Sequence, residues 1–300
     1  MIPIVEMQQY TALVVGSAYE FVDCKIDDTV FHIHNVDRRE CVPGDVVTIE
    51  FISDVPVIIE QHDRRNALTR TNSDATRRGK QSDSPTAVAA NIDYGVIVAS
   101  SVTPTFHPRF IDRYLLLLEL NNIQPMICIT KADLASRYNE AIELYGSLNI
   151  PIVEVSTKTG QGMDELRSIL KNNTVVFIGQ SGVGKSSLVH ALVPDIDIQT
   201  QDVSKKTGTG RHTTTSSELY EWAPGSMIID TPGIRTLNID HIPKDELRLL
   251  FREFVALSAN CKFNDCLHLQ EPRCAVKTAV ECGDIPRSRY ESYVRLMTEE

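Results

Sequence analysis

No apolar run in this 300-residue chain approaches the ~20 residues that a helical membrane span needs, so no membrane role is expected. The start, Met1-Ile2-Pro3-Ile4-Val5-Glu6, lacks a charged segment followed by an apolar one, the pattern of secretion. A cytoplasmic protein is therefore expected. Positive charge is also short: 30 Lys and Arg stand against 40 Asp and Glu, a net −10 at pH 7. That balance excludes nucleic-acid binding by the whole surface but leaves room for local basic edges. Seven cysteines cannot all pair, and those near the C-terminus cluster with a histidine. In a reducing compartment this pattern reads as a metal site rather than a disulfide framework.

What the chain does have is a complete phosphate-binding loop, Gly179-Gln180-Ser181-Gly182-Val183-Gly184-Lys185-Ser186, with Ser187 following. The apolar run Val175-Val176-Phe177-Ile178 leads into it, and a helical stretch begins near Lys185. Strand, glycine-rich turn and helix form the context this motif requires. Loop amides and the helix N-terminus cradle phosphates, Lys185 reaches the β- and γ-phosphates, and the Ser186 hydroxyl binds Mg²⁺. Downstream, Met227-Ile228-Ile229 reads as a strand ending in Asp230-Thr231-Pro232-Gly233. Asp230 then lies at the carboxyl edge of a sheet, placed to hold Mg²⁺, and Gly233 lets a backbone amide approach a γ-phosphate.

Two further strand ends precede the loop. Pro125–Ile129 leads to Thr130-Lys131-Ala132-Asp133, and Pro151–Val155 leads to Ser156-Thr157-Lys158. The Asp133 carboxylate accepts from guanine N1–H and the 2-amino group, neither of which adenine offers on that edge. Thr130 stands where such loops usually carry Asn. The order along the chain is base, base, phosphate, phosphate, which is that of a circularly permuted GTPase. Monomeric action on GTP and GDP with Mg²⁺ is expected. A general P-loop ATPase is the rival that Asp133 argues against.

Between the phosphate motifs lies Lys205-Lys206-Thr207-Gly208-Thr209-Gly210-Arg211-His212-Thr213-Thr214-Thr215, polar and without hydrophobic period. It reads as a loop from which one threonine closes onto Mg²⁺. Thr214 is preferred, with Thr213 and Thr215 left open. The residue after Gly233 is Ile234, which cannot orient an attacking water, so slow intrinsic hydrolysis is expected. His212 is the local substitute, or else a solvated loop residue or RNA contact.

The fold class is multidomain. Residues 1–70 show short strand-like runs such as Thr11–Val15, Thr29–Ile33 and Asp45–Phe51, with a turn at Pro43-Gly44, and read as a small β-barrel. Aromatic stacking residues are sparse there, so phosphate contacts are expected rather than base contacts. Residues 71–90 read as a linker. Residues 91–240 read as the three-layer α/β domain, with a strand Tyr94–Ser100 and a helix Pro108–Asn121. Residues 241–300 carry Cys261, Cys266, His268 and Cys274, a full tetrahedral set for one structural Zn²⁺, flanked by helices over Lys244–Leu257 and Arg287–Met297. Cys282 remains an alternative ligand.

With these motifs on the page, the chain resembles the bacterial ribosome small-subunit-dependent GTPase A family. Arg64-Arg65-Asn66-Ala67-Leu68-Thr69-Arg70, Phe110-Ile111-Asp112-Arg113-Tyr114-Leu115 and Gly210–Thr215 add to the match. The resemblance implies an N-terminal OB-fold, a central permuted GTPase domain and a small, α-rich zinc-binding domain. It also implies that the small ribosomal subunit and its rRNA are partners in late assembly. Residues 61–80 hold six basic against two acidic side chains, and Arg64, Arg65 and Arg70 are the expected RNA contacts. The alternative is a nucleotide-gated RNA-binding checkpoint in which hydrolysis is incidental. Because the chain leaves the core after Gly233 and enters the zinc segment, both flanking domains are expected to follow nucleotide state as rigid bodies.

Overall fold

The structure is a computed structural model, and it describes residues 8–18, 20–70, 86–104, 106–134, 139–194, 217–230 and 242–298. Five strands form the N-terminal unit: β1 (Gln9–Ser17), β2 (Phe21–Ile26), β3 (Thr29–His34), β4 (Val46–Ile52) and β5 (Val55–Gln61). All pair antiparallel, in the order β3-β2-β1-β4-β5, and β3 approaches β5 to close the curl. Period-two alternation makes the barrel. Ala12, Val14, Val22, Cys24, Ile33, Val47 and Ile49 point inward and form its core. Ser53 and Asp54 both take positive φ, so a two-residue turn of the kind that matches strand twist joins β4 to β5.

A short ladder of β6 (Ala67–Arg70) and β7 (Thr86–Ala90) follows. Residues 86–90, read from sequence as the end of a linker, are therefore a strand. The run Thr86-Ala-Val-Ala-Ala places Ala89 under the core beside fully buried Leu68, and small side chains allow that close approach.

The α/β sheet contains β8 (Tyr94–Ser100), β9 (Gln124–Thr130), β10 (Ile152–Glu154), β11 (Thr174–Ile178), β12 (Glu218–Ala223) and β13 (Ser226–Asp230). Their spatial order is β10-β9-β8-β11-β13-β12, parallel except for β12. Helices cover both faces, as a parallel sheet requires. Helices α1 (Pro108–Leu120) and α2 (Asn139–Gly146) share a core with Ile97, Ala99, Ile127, Ile129 and Ile178. Helices α3 (Met163–Leu170) and α4 (Lys185–Leu192) share the opposite core with Val96, Val98, Met126, Cys128 and Phe177. Pro108 opens α1, where its missing amide costs nothing. The sheet continues into the barrel, since Gly16 of β1 pairs with Glu218 of β12 and Lys25 pairs with Glu221.

The C-terminal unit holds α5 (Lys244–Leu247), α6 (Arg252–Ser258), α7 (Ala275–Cys282) and α8 (Arg287–Thr298). The single helix expected over Lys244–Leu257 is broken at Phe251, whose extended backbone (φ −86°, ψ 91°) places a fully buried ring between the two pieces. Helix α8 packs on α1. There Arg289 bridges Asp112 Oδ1 at 2.5 Å and Glu253 Oε1 at 2.8 Å, and Tyr145 donates to Asp112 at 2.8 Å. No helix among the described residues is long and apolar enough to cross a membrane.

Candidate nucleotide site and metal centre

From β8 the chain steps outward to β9 and β10, then returns across β8 to β11. The reversal opens a crevice outside the carboxyl ends of β8 and β11, the place where open α/β sheets bind ligands. The loop Gly179–Gly184 fills that crevice. Gly179 has φ +148°, and a Cβ there would lie 2.3 Å from the Val98 carbonyl oxygen, so only glycine fits. Gly184, at φ +103°, is the N-cap of α4 and supplies no side-chain cap. The first-turn amides of α4 thus keep their donors for an anion. Lys185 Nζ donates to the carbonyls of Gly179 at 2.7 Å and Gln180 at 2.6 Å, which hold the ammonium against the loop. Ser186 and Ser187 are exposed on the same turn. Asp230 ends β13, the parallel neighbour of β11.

The segments expected to read the base arrive at the same edge. Thr130 ends β9 and is buried, with its hydroxyl 2.5 Å from the Val183 carbonyl and 3.1 Å from that of Ala99. The hydroxyl at this position therefore clamps the base loop to the phosphate loop. Lys131 Nζ donates to the carbonyls of Thr103 and Gly182, the latter at 3.2 Å. The buried Ser156 hydroxyl donates to Asp133 Oδ1 at 2.7 Å, and Ala132 N–H donates to Val155 O at 3.0 Å. Ser156 thereby fixes the Asp133 carboxylate, while Thr157 and Lys158 are exposed beside it. The structure brings Thr130, Lys131, Asp133 and Ser156 together with Gly182 and Val183. The loop after β8, through Ser101 and Thr103, supports Lys131 and was missed in the sequence, where it shows no motif. His212, Thr213, Thr214, Thr215 and Gly233 lie outside the described residues.

Cys261, Cys266, His268 and Cys274 offer four ligand atoms all within 4.8 Å of one another. Cys261 Sγ lies 4.0 Å from Cys274 Sγ, and His268 Nδ1 lies 3.6 and 3.4 Å from those two sulfurs. A tetrahedral Zn²⁺ with its usual bond lengths separates sulfur and nitrogen ligands by about 3.5–3.8 Å. The residues therefore fit the ion. Burial pushes the Cys266 thiol up to about 12 and also raises Cys274. Buried thiols of this kind ionise only against a cation. His268 turns Nε2 towards Ser258 Oγ at 3.1 Å, and that hydroxyl donates to Phe254 O at 2.8 Å. This leaves Nδ1 as the ligand atom and fixes the ring. Cys282 is exposed at the end of α7, outside this group of four candidate ligands.

Two of the arginines expected to contact RNA, Arg64 and Arg65, make side-chain contacts within the fold. Arg64 grips the fully buried Asp45 through Nε at 2.7 Å and a terminal nitrogen at 2.8 Å. That bidentate pair and the surrounding carboxylates raise the Arg64 pKa. Arg65 bonds Asp93 Oδ1 and the Asn91 carbonyl, both at 2.9 Å, and so ties the barrel's end to β8. Arg70 lies in β6 with its Nε buried. Of the three, Arg64 is a strut within the barrel, while the Arg65 side chain stays 61% exposed beside its partner Asp93.

A P-loop at the switch point of the sheet, packed against loops of β9 and β10 that precede it in the chain, is the arrangement of a circularly permuted GTPase. The chain belongs to the RsgA GTPase family, whose sequence profile matches residues 61–240. It is 39% identical over 254 residues to the small ribosomal subunit biogenesis GTPase RsgA of Haemophilus influenzae (strain 86-028NP), spanning 83% of this chain and 71% of that one. The crystal structure of YjeQ from Thermotoga maritima superposes with a TM-score of 0.77 at 31% identity, covering 97% of this chain and 98% of that one. The structure of YloQ, described as a circularly permuted GTPase, gives 0.75 at 30% identity over 99% and 97%.

Proposed function

We propose that this chain hydrolyses GTP in late maturation of the small ribosomal subunit, binding the subunit in the GTP state and leaving after hydrolysis. The observation that carries the reading is the clamp between base loop and phosphate loop, Thr130 to Val183 and Lys131 to Gly182. It supports reading these permuted segments as one guanine-nucleotide site, and relatives of the chain are named as small-subunit biogenesis GTPases.

Each group has a task. Asp133, held by Ser156, accepts from the guanine edge, and adenine would leave it unpaired. Loop amides, the α4 N-terminus and Lys185 bind and orient the phosphates. Ser186 and Asp230 would hold Mg²⁺, with one of Thr213, Thr214 or Thr215 closing from outside the described residues. When bound, that ion would supply positive charge to the phosphoryl group being transferred. Ile234 offers nothing to orient water, so the reading includes slow turnover alone and stimulation by the subunit, with His212 the residue proposed to position water. Cys261, Cys266, His268 and Cys274 would hold a structural Zn²⁺ that closes the C-terminal unit. Docking on rRNA completes the reading.

The test is GTP turnover measured alone, with purified small subunits and with large subunits. Stimulation by the small subunit only is the expected result. Equal rates in all three would remove the ribosomal part of the reading, and absence of GTP turnover throughout would remove the enzymatic part.

A further inference from the structure

We propose that the groove between the barrel and the edge strand β12 takes an unpaired nucleobase of RNA. The inference rests on the small-subunit reading above and names the part of an RNA partner that this surface fits. Ladder register is the starting point. Phe21 pairs with His34 and Asp23 with His32, so these four side chains share the outward face of β2 and β3. Their neighbours Val22, Cys24 and Ile33 face the barrel core. The Phe21 and His32 rings stack at 4.3 Å between centroids and 15° between planes, and His34 lies against the same phenyl ring at 5.2 Å. His32 Nδ1 lies 2.5 Å from Asp23 Oδ1, which fixes the plane of an otherwise exposed imidazole. A preformed row of flat rings on an open sheet face is what stacks single-stranded bases. In OB-type barrels the face of strands two and three is where oligonucleotides bind.

The groove is walled on its other side by Glu218 and Tyr220 of β12. Its lining includes two carboxylates, Asp23 and Glu218, and neither Lys nor Arg. Such a lining repels phosphate, so the end of a nucleotide that enters is the base. Amino groups of adenine, cytosine and guanine donate to a carboxylate, whereas uracil carries none. Glu218 also pairs in register with Asp230, one strand from the phosphates, so the base would sit against the strand that borders the magnesium ligands. The rings escaped sequence reading because histidines were not counted among stacking residues. The alternation Phe21, Asp23 and His32, His34 was the available signal.

The probes are short fluorescein-labelled oligoadenylate, oligocytidylate and oligouridylate, and purified small subunits with a non-hydrolysable GTP analogue. The parent protein should bind the adenylate and cytidylate probes more tightly than oligouridylate. Phe21→Ala should weaken those probes about five- to 150-fold, the range for losing one base–aromatic stack. His32→Ala, a change at an exposed side chain, should weaken them in the same direction, and Asp23→Asn should erase the preference over oligouridylate. GDP affinity should stay at the parent value in all three, which also reports an intact core. Unchanged probe binding in Phe21→Ala and His32→Ala overturns the proposal. So does loss of subunit binding with probe binding intact, which would assign the groove to a protein segment instead. If the parent itself fails to bind small subunits, the small-subunit reading falls and the oligonucleotide arm still decides the groove.

Discussion

Replacing Arg289 by Ala should loosen the C-terminal unit from the GTPase core. Arg289 and Asp112 are 3% and 1% exposed at their side chains, and Glu253 is 10% exposed. Burial alone would lower the Arg289 pKa, but Asp112 and Glu253 more than offset it and raise the group above its ordinary value. The guanidinium also lies 4.6 Å over the Phe251 ring. Removing it leaves two carboxylates in a low-dielectric interior, with the Tyr145 hydroxyl still on Asp112. Breaking a buried pair in this way costs about 3–5 kcal/mol. That is roughly a hundred- to several-thousand-fold in the local opening equilibrium. A multidomain chain does not unfold in one step, so hydrogen exchange in α1, α6 and α8 is the assay. The triple change Arg289→Met, Asp112→Leu and Glu253→Leu should recover most of the protection, because a well-packed apolar set removes the stranded charge. Parent-like exchange in Arg289→Ala would refute the reasoning.

Three shorter predictions follow from the same geometry. Lys185→Ala should abolish turnover while circular dichroism stays at the parent value, since the ammonium contacts loop carbonyls rather than the core; retained nucleotide affinity and turnover would remove the P-loop assignment. Asp133→Asn should lower GDP affinity by about ten- to a hundredfold and favour xanthine over guanine nucleotides, because an amide donates where the carboxylate accepts; titration with labelled GDP and XDP reads this directly. Freshly purified protein should contain one Zn²⁺ per chain, and chelation should raise hydrogen exchange around Cys261–Cys274 while β8, β9 and β11 keep their protection, because structural zinc contributes on the order of 10 kcal/mol of local binding free energy. Metal analysis without zinc would contradict that last expectation.

Much of this was legible in the sequence, for reasons that particular residues make plain. The P-loop strand, the β8 strand and the zinc quartet are local patterns: an apolar run before a glycine turn, or ligands close along the chain, states its own geometry. What escaped needed tertiary context. Arg64 reads from sequence as an RNA contact, because its partner Asp45, fully buried, lies nineteen residues away. The strand Thr86–Ala90 reads as linker because alanines carry little strand preference and its partner β6 lies beyond fifteen undescribed residues. Phe251 breaks a helix that its sequence would continue, since a buried ring between α6 and Tyr293 outweighs local propensity. The role of Thr130 as a clamp emerged only once Val183, more than fifty residues later, was placed against it.

The account turns on whether the nucleotide held by these permuted segments decides attachment to the subunit. Co-sedimentation of the chain with purified small subunits, loaded with a non-hydrolysable GTP analogue or with GDP, tests this most directly. The account predicts stable attachment with the analogue and release with GDP. Equal amounts bound in the two states would contradict it.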